Sequence, residues 1–293
     1  MYYLVYGIFY LLSLLPWRVL YLVSDAGYAI VYYLVRYRRN VVMHNLKIAF
    51  PEKTDTERKR IAKDFYKNFA DNFMEVIKLV SISEKELNRR FTCDYNVVND
   101  LYITGKNVQL LSGHFFNWEF ANLAFSNNFV YPLICVYMPV TNKIFDRLFR
   151  KMRSRFGSRL VAATEFARQF VPFTRGRYVC GLVGDQSPGG PDNVYWTRFF
   201  GRMTPFVKGP EKGAVRLDAA VVLSSFIKVK RGYYRCKLKL LTADPKSLHA
   251  GDITRQMIAF IEETVRKYPA NYLWSHRRWK WEFEEDKYVK NVI

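Results

Sequence analysis

The chain has 293 residues, enough to bury one large core or two small ones, and its 50% hydrophobic content excludes a disordered chain. With 46 Lys and Arg against 26 Asp and Glu the formal charge is +20, which calls for a polyanionic partner: nucleic acid, an anionic membrane surface, a phosphorylated lipid or an acidic protein. Four widely spaced cysteines (Cys93, Cys135, Cys180, Cys236) with no Cys-x2-Cys pair support neither a zinc site nor a disulfide framework, and read as reduced, mostly buried thiols.

From Tyr2 to Leu15 nearly every residue is apolar or aromatic. Pro16-Trp17-Arg18 interrupts, and Val19 to Val35 resumes with only Ser24 and Asp25 as clearly polar groups. Neither half has the roughly 20 uninterrupted apolar residues that a spanning helix needs. No small-residue cleavage site follows, so a removed signal peptide is not expected. Arg36, Arg38 and Arg39 come next. Residues 1–35 therefore fit a membrane-embedded or interfacial anchor whose basic end stays cytoplasmic, or else a buried helical hairpin.

Residues 36–90 form a helical segment expected to pack on the core. Pro51 breaks the chain, Thr54-Asp55-Thr56-Glu57 marks a helix start, and Ile61, Phe65, Phe69, Phe73 and Ile77 predict one apolar face on a long helix. From residue 91 onward the texture is α/β. Val108–Leu111, Tyr131–Tyr137, Tyr178–Val183, Ala219–Val229 and Tyr234–Leu241 are predicted strands, the last two joined as a hairpin across Arg231-Gly232. Asn142–Phe156 reads as a helix with Ile144, Phe145, Leu148, Met152 and Phe156 inward and several basic residues, Arg153 among them, on its other positions. There is no internal repeat and no linker long enough to separate independent domains.

Two places in this segment carry chemistry. In Leu110-Leu111-Ser112-Gly113-His114-Phe115-Phe116-Asn117-Trp118-Glu119 an apolar stretch ends at a histidine with a carboxylate five positions on. Five residues are about 500° of helix, so His114 and Glu119 meet only if His114 precedes the helix and Glu119 lies on its first turn. A carboxylate on one imidazole nitrogen leaves the other to take a proton from a hydroxyl, which makes the pair a candidate general base; a purely structural histidine is the alternative. The second place is Gly184-Asp185-Gln186-Ser187-Pro188 after the strand ending at Val183, where Asp185 either projects into a ligand crevice or sits in a plain turn. The aromatic residues concentrate in apolar runs instead of alternating with basic ones, so nucleic acid is not the expected partner.

The whole chain resembles the late lipid A acyltransferases, the lauroyl/myristoyl-transferase branch of the lysophospholipid acyltransferase superfamily. Six motifs appear in order: Asn45-Leu46-x3-Phe50-Pro51; Gly113-His114-x2-Asn117-Trp118-Glu119; Asn142-x3-Asp146 with Arg153-x2-Phe156-Gly157; Asp185-Gln186; Gly209-Pro210; and Tyr272-Leu273-Trp274-Ser275-His276-Arg277-Arg278-Trp279-Lys280. Phe206-Val207-Lys208 departs from the small residues usual before Gly209-Pro210. The resemblance implies a single α/β domain of the glycerol-3-phosphate acyltransferase type over residues 91–293, with a central mixed sheet flanked by helices. It implies His114 and Glu119 as catalytic residues, with Glu119 orienting the imidazole. Arg153 would stabilise an oxyanion or hold a lipid phosphate, Asp185 would brace that arginine, and Asn117, Trp118 and Gln186 would belong to the substrate site. It further implies acyl-acyl carrier protein as donor and an anionic phosphorylated glycolipid as acceptor. The expected location is the cytoplasmic face of a bacterial inner membrane. No metal and no cofactor are implied beyond the donor's own phosphopantetheine arm.

Overall fold

The computed structural model describes residues 1–293. Two apolar helices open the chain, α1 (Tyr2–Leu14) and α2 (Trp17–Ala29). A wider helical turn prolongs α2, so that Trp17–Val35 is one helix of 19 residues. Then come α3 (Arg39–Ala49), α4 (Asp55–Leu79) and α5 (Glu84–Arg90). Thr54 accepts the Glu57 N–H while the Glu57 side chain returns to the Thr54 N–H, a reciprocal cap that starts α4 where the sequence signalled it.

The expected stripe on α4 is only half right. Phe65 is buried, but Phe73 is 52% exposed. A step of four residues turns about 400°, so a run spaced strictly by four drifts about 40° per step and fans round the helix. Ala62, Tyr66, Ala70 and Leu79 complete the face that packs inward.

The remaining elements in chain order are β1 (Phe91–Thr92), α6 (Asn96–Asn99), β2 (Val108–Ser112), α7 (Trp118–Asn128), β3 (Leu133–Tyr137), α8 (Lys143–Arg153), β4 (Arg159–Ala162), α9 (Phe166–Phe170) and β5 (Val179–Val183). They continue with β6 (Val194–Phe199), β7 (Arg202–Val207), α10 (Gly209–Leu217), β8 (Ala220–Lys230), β9 (Tyr233–Thr242), α11 (Asp252–Lys267) and α12 (Glu285–Tyr288). Seven strands form one mixed sheet in the order β1-β9-β8-β2-β5-β3-β4, with β9 antiparallel to β8 and parallel partners elsewhere. Helices flank it, giving the expected α/β architecture. Every residue of the central β2 is buried, as a strand covered on both faces requires.

The predicted strands and hairpin lie within about two residues of the observed ones. Strands β1 and β4, the separate β6–β7 hairpin and helix α11 are additional to the elements expected from the sequence. Helix α8 stops at Arg153 and buries Leu148 and Met152, whereas Phe145 is 37% exposed instead of inward. All four cysteines are free, two of them buried and two half-buried.

The main core runs without a break from Tyr32, Leu46 and Phe65 through Leu111 and Val222 to Ile261 and Trp274. The N-terminal helices therefore fold with the sheet as one body. Helix α2 is fastened to it by polar contacts: Ser24 Oγ donates to Asp71 (2.7 Å), Tyr21 to Glu75 (3.2 Å), and Arg231 bridges Asp25 and Asp71, each at 2.6 Å. The outer faces of α1 and α2 are bare, with Leu4, Leu11, Leu22 and Leu34 at 69%, 67%, 69% and 76% exposure, so the hairpin is not a buried one.

Candidate active site

Strand register places the two motif residues together. Ser112 of β2 pairs with Val183 of β5 in a parallel ladder, and His114 and Asp185 each lie two residues beyond. The Gly184 N–H donates to Ser112 O at 3.2 Å, holding the two strand exits side by side. The crevice outside the carboxyl ends of a parallel sheet is where such folds present their chemistry.

Asp185 grips His114 at two points: Oδ1 lies 2.5 Å from Nδ1, and Oδ2 accepts the His114 backbone N–H at 3.0 Å. Nε2 has no hydrogen-bond partner in the protein, and His114 is one of the residues lining the cavity. Burial alone would raise the Asp185 carboxyl. The His114 charge, the hydrogen bonds from His114 and the neighbouring Tyr272 hydroxyl outweigh it and hold the carboxyl down at about 2. The resemblance had Glu119 orienting the imidazole and Asp185 bracing Arg153; the structure exchanges these partners. Glu119 is on the first turn of α7, as predicted, but both its oxygens take Arg153: Nε at 2.9 and 3.1 Å, and Nη2 at 2.5 Å. Glu119 is 3% exposed, so an acid there needs a cation, and the planar guanidinium supplies one with two donors.

Around this pair the other expected residues divide. Asn117 is fully buried and caps α7, its Oδ1 accepting the Glu119 and Phe120 N–H groups, so it positions the site without facing it. Trp118 lies edge-on to His114 with ring centroids 5.9 Å apart and donates to Glu119 at 3.2 Å. His114, Trp118, Glu119, Arg153 and Gln186 open on one cavity of about 490 Å³ whose remaining wall is mostly apolar. Asp185 stands behind it, wholly buried.

Four participants emerged only in the fold. Glu75 of α4, fully buried, accepts from Asn117 Nδ2 (3.1 Å) and from Tyr234 (2.5 Å), and burial pushes its carboxyl above the usual range. Tyr272 runs antiparallel to Phe115 and reaches Asp185. His276 Nε2 accepts the Ser187 N–H at 2.9 Å; burial, then the Arg278 charge, hold its pKa down at about 4, so the ring is neutral at pH 7. Arg278, buried, donates to Pro205 O at 2.9 Å. Tyr272, His276 and Arg278 belong to the C-terminal motif, where nothing local distinguishes them, and Glu75 lies on α4 off the apolar spacing of that helix.

Residues 1–281 match the protein family described as bacterial lipid A biosynthesis acyltransferase. The chain is 23% identical to a Haemophilus influenzae protein named lipid A biosynthesis acyltransferase, over 92% of this chain and 84% of that one. It is 23% identical to lipid A biosynthesis acyltransferase 2 of Shigella flexneri, over 82% and 77% of the two chains. Lipid A biosynthesis lauroyltransferase of Escherichia coli is 21% identical over 94% and 89%.

Proposed function

Because the chain belongs to the bacterial lipid A biosynthesis acyltransferase family, we propose that it moves a fatty acyl chain from acyl-acyl carrier protein to a hydroxyl of a phosphorylated lipid A precursor, with His114 as general base. The observation that carries this reading is the His114 imidazole, held at Nδ1 by Asp185, without a protein partner at Nε2, in the wall of a largely apolar cavity. Nε2 takes the proton of the acceptor hydroxyl as its oxygen bonds to the thioester carbonyl carbon. The tetrahedral intermediate then expels the thiolate as the carbon–sulfur bond breaks, and the thiolate recovers the proton from His114. Asp185 keeps the imidazole in the required tautomer and balances its transient charge. Arg153, clamped by Glu119 through Nε and Nη2, retains Nη1 to meet the developing oxyanion.

The cavity suits an acyl chain, and the +20 charge suits an acidic carrier protein and an anionic acceptor. The phosphopantetheine arm arrives with the donor. The bare faces of α1 and α2 would seat the enzyme on the cytoplasmic side of the bacterial inner membrane, lying in the interface, because the opposite face of α2 is engaged with buried carboxylates. Mass spectrometry of lipid A from cells with and without the protein tests the reading. The loss of one ester-linked acyl chain is expected, and unchanged lipid A would remove the function.

A further inference from the structure

Between the end of α2 and the C-terminal motif lies a cavity of about 520 Å³ lined by Arg36, Arg38, Arg39, Asn40, Val41 and Arg277. No carboxylate contributes to its wall, and none of the four arginines forms an ion pair. Like charges gathered without a counterion repel one another, so the cluster is an arrangement that an anion would relieve. The other basic groove, beside α8, differs in having a carboxylate, Asp146, in its wall; basic side chains of both grooves lie over tyrosine rings, Arg39 4.8 Å over Tyr32 and Arg147 4.0 Å over Tyr2.

Two further observations indicate what the cavity takes. Helix α3 begins in the cavity wall with no side-chain cap, adding its positive end to the arginines. Arg38 also lines the neighbouring cavity that contains Trp118, Glu119 and Arg153, and its guanidinium is fixed there by Ser275 O at 3.1 Å. The basic cavity thus adjoins the candidate active cleft. It also directly follows the bare end of α2, where Leu34 and Val35 are 76% and 63% exposed.

We propose that Arg36, Arg39 and Arg277, with Arg38 at the boundary, bind a lipid-borne phosphate group presented at the membrane surface beside the active cleft. Several guanidinium forks around one space match the oxygens and double charge of a phosphate better than a single carboxylate. With Arg153 committed to Glu119, this cluster takes over the phosphate-holding role that the sequence left open for that residue. The phosphate comes either from the acceptor of the proposed reaction, in which case this inference rests on that reading, or from an anionic lipid of the bilayer.

The full-length Arg36→Gln/Arg277→Gln double variant separates these sources. In neutral-detergent micelles, KM for a phosphorylated lipid A precursor is expected to rise at least about tenfold, kcat to move less than about twofold, and turnover of the dephosphorylated precursor to stay as it was. That result assigns the site to the acceptor. If KM is unchanged but binding to phosphatidylglycerol vesicles falls well below that of the charge-matched Lys239→Gln/Lys246→Gln control, the bilayer is the source. If KM is unchanged and vesicle binding equals that of the control, the site is overturned. Wild-type protein that acylates neither precursor removes the acyltransfer reading, and the vesicle comparison still tests the site.

Discussion

His114 Nδ1 lies 2.5 Å from Oδ1 of Asp185, and Oδ2 of the same carboxylate takes the His114 backbone N–H. One acid thus sets both the ring and the chain that carries it. Asp185→Asn keeps the shape but presents an amide N–H or a weaker acceptor to Nδ1. Acyl transfer is expected to fall at least about 10²-fold, and the same is expected of His114→Ala. Circular dichroism of the same samples checks that both fold; near-normal turnover by folded Asp185→Asn would remove Asp185 from the mechanism.

Glu119 and Arg153 form a buried pair, so breaking it from either side leaves a charge without its partner, at a cost of about 3–5 kcal/mol in stability. Glu119→Gln and Arg153→Met are each expected to lower the melting temperature, and the double variant to recover part of the loss while remaining inactive. Arg153→Lys should lose most activity, since an ammonium cannot hold both Glu119 oxygens and still present a donor to the substrate. Lys151→Gln, on the outer side of the same helix, should lose little. Additive stability losses in the double variant would mean that the two residues act independently.

Acid sensitivity follows from two depressed pKa values. His276, held down at about 4, resists protonation that the unfolded chain accepts near 6.5, so stability is full above about 6.5 and declines as pH falls toward 4. Asp185, held down at about 2, adds a second loss between its unfolded value of 3.8 and about 2, on the order of 2 kcal/mol. Denaturant melts across pH should show His276→Asn flattening the upper limb while leaving the lower one. An unchanged upper limb would show that other groups set it.

The bare faces of α1 and α2 predict membrane attachment without unfolding. Each exposed leucine that enters lipid contributes roughly 1.5–3 kcal/mol. Replacing Leu4, Leu11, Leu22 and Leu34 with Gln is therefore expected to weaken vesicle binding by more than about 10³-fold at an unchanged melting temperature. Sedimentation with vesicles measures it, and undiminished binding would place the contact elsewhere.

What the sequence revealed and what it hid divide along distance. The strand, turn and helix around His114 were legible because Gly113 and the apolar run act locally. The exchange of partners was not: Asp185 is 71 residues from His114 and meets it only through the β2–β5 register, which no spacing encodes. The β6–β7 hairpin carried a signal of its own in Phe199-Phe200-Gly201-Arg202. Its two-residue turn has positive φ at both Phe200 (52°) and Gly201 (75°), but a phenylalanine stands where Asn or Asp usually announces such a turn. On α4 the apolar spacing predicted the helix and misplaced its inner face, because Asp71 and Glu75 are buried there by partners supplied from other elements.

The fastening of α2 also sets an order of events during synthesis. Ser24 can find Asp71 as soon as α4 is made, but the cations that neutralise this buried acid, Lys228 and Arg231, follow it by 157 and 160 residues. At ribosomal speeds of about 5–20 residues per second that interval is roughly ten to thirty seconds. For that time the nascent chain carries two apolar helices and an unneutralised acid in a seat still half built. If the bare faces of α1 and α2 do meet a membrane, that contact would shelter the growing chain before the sheet is complete.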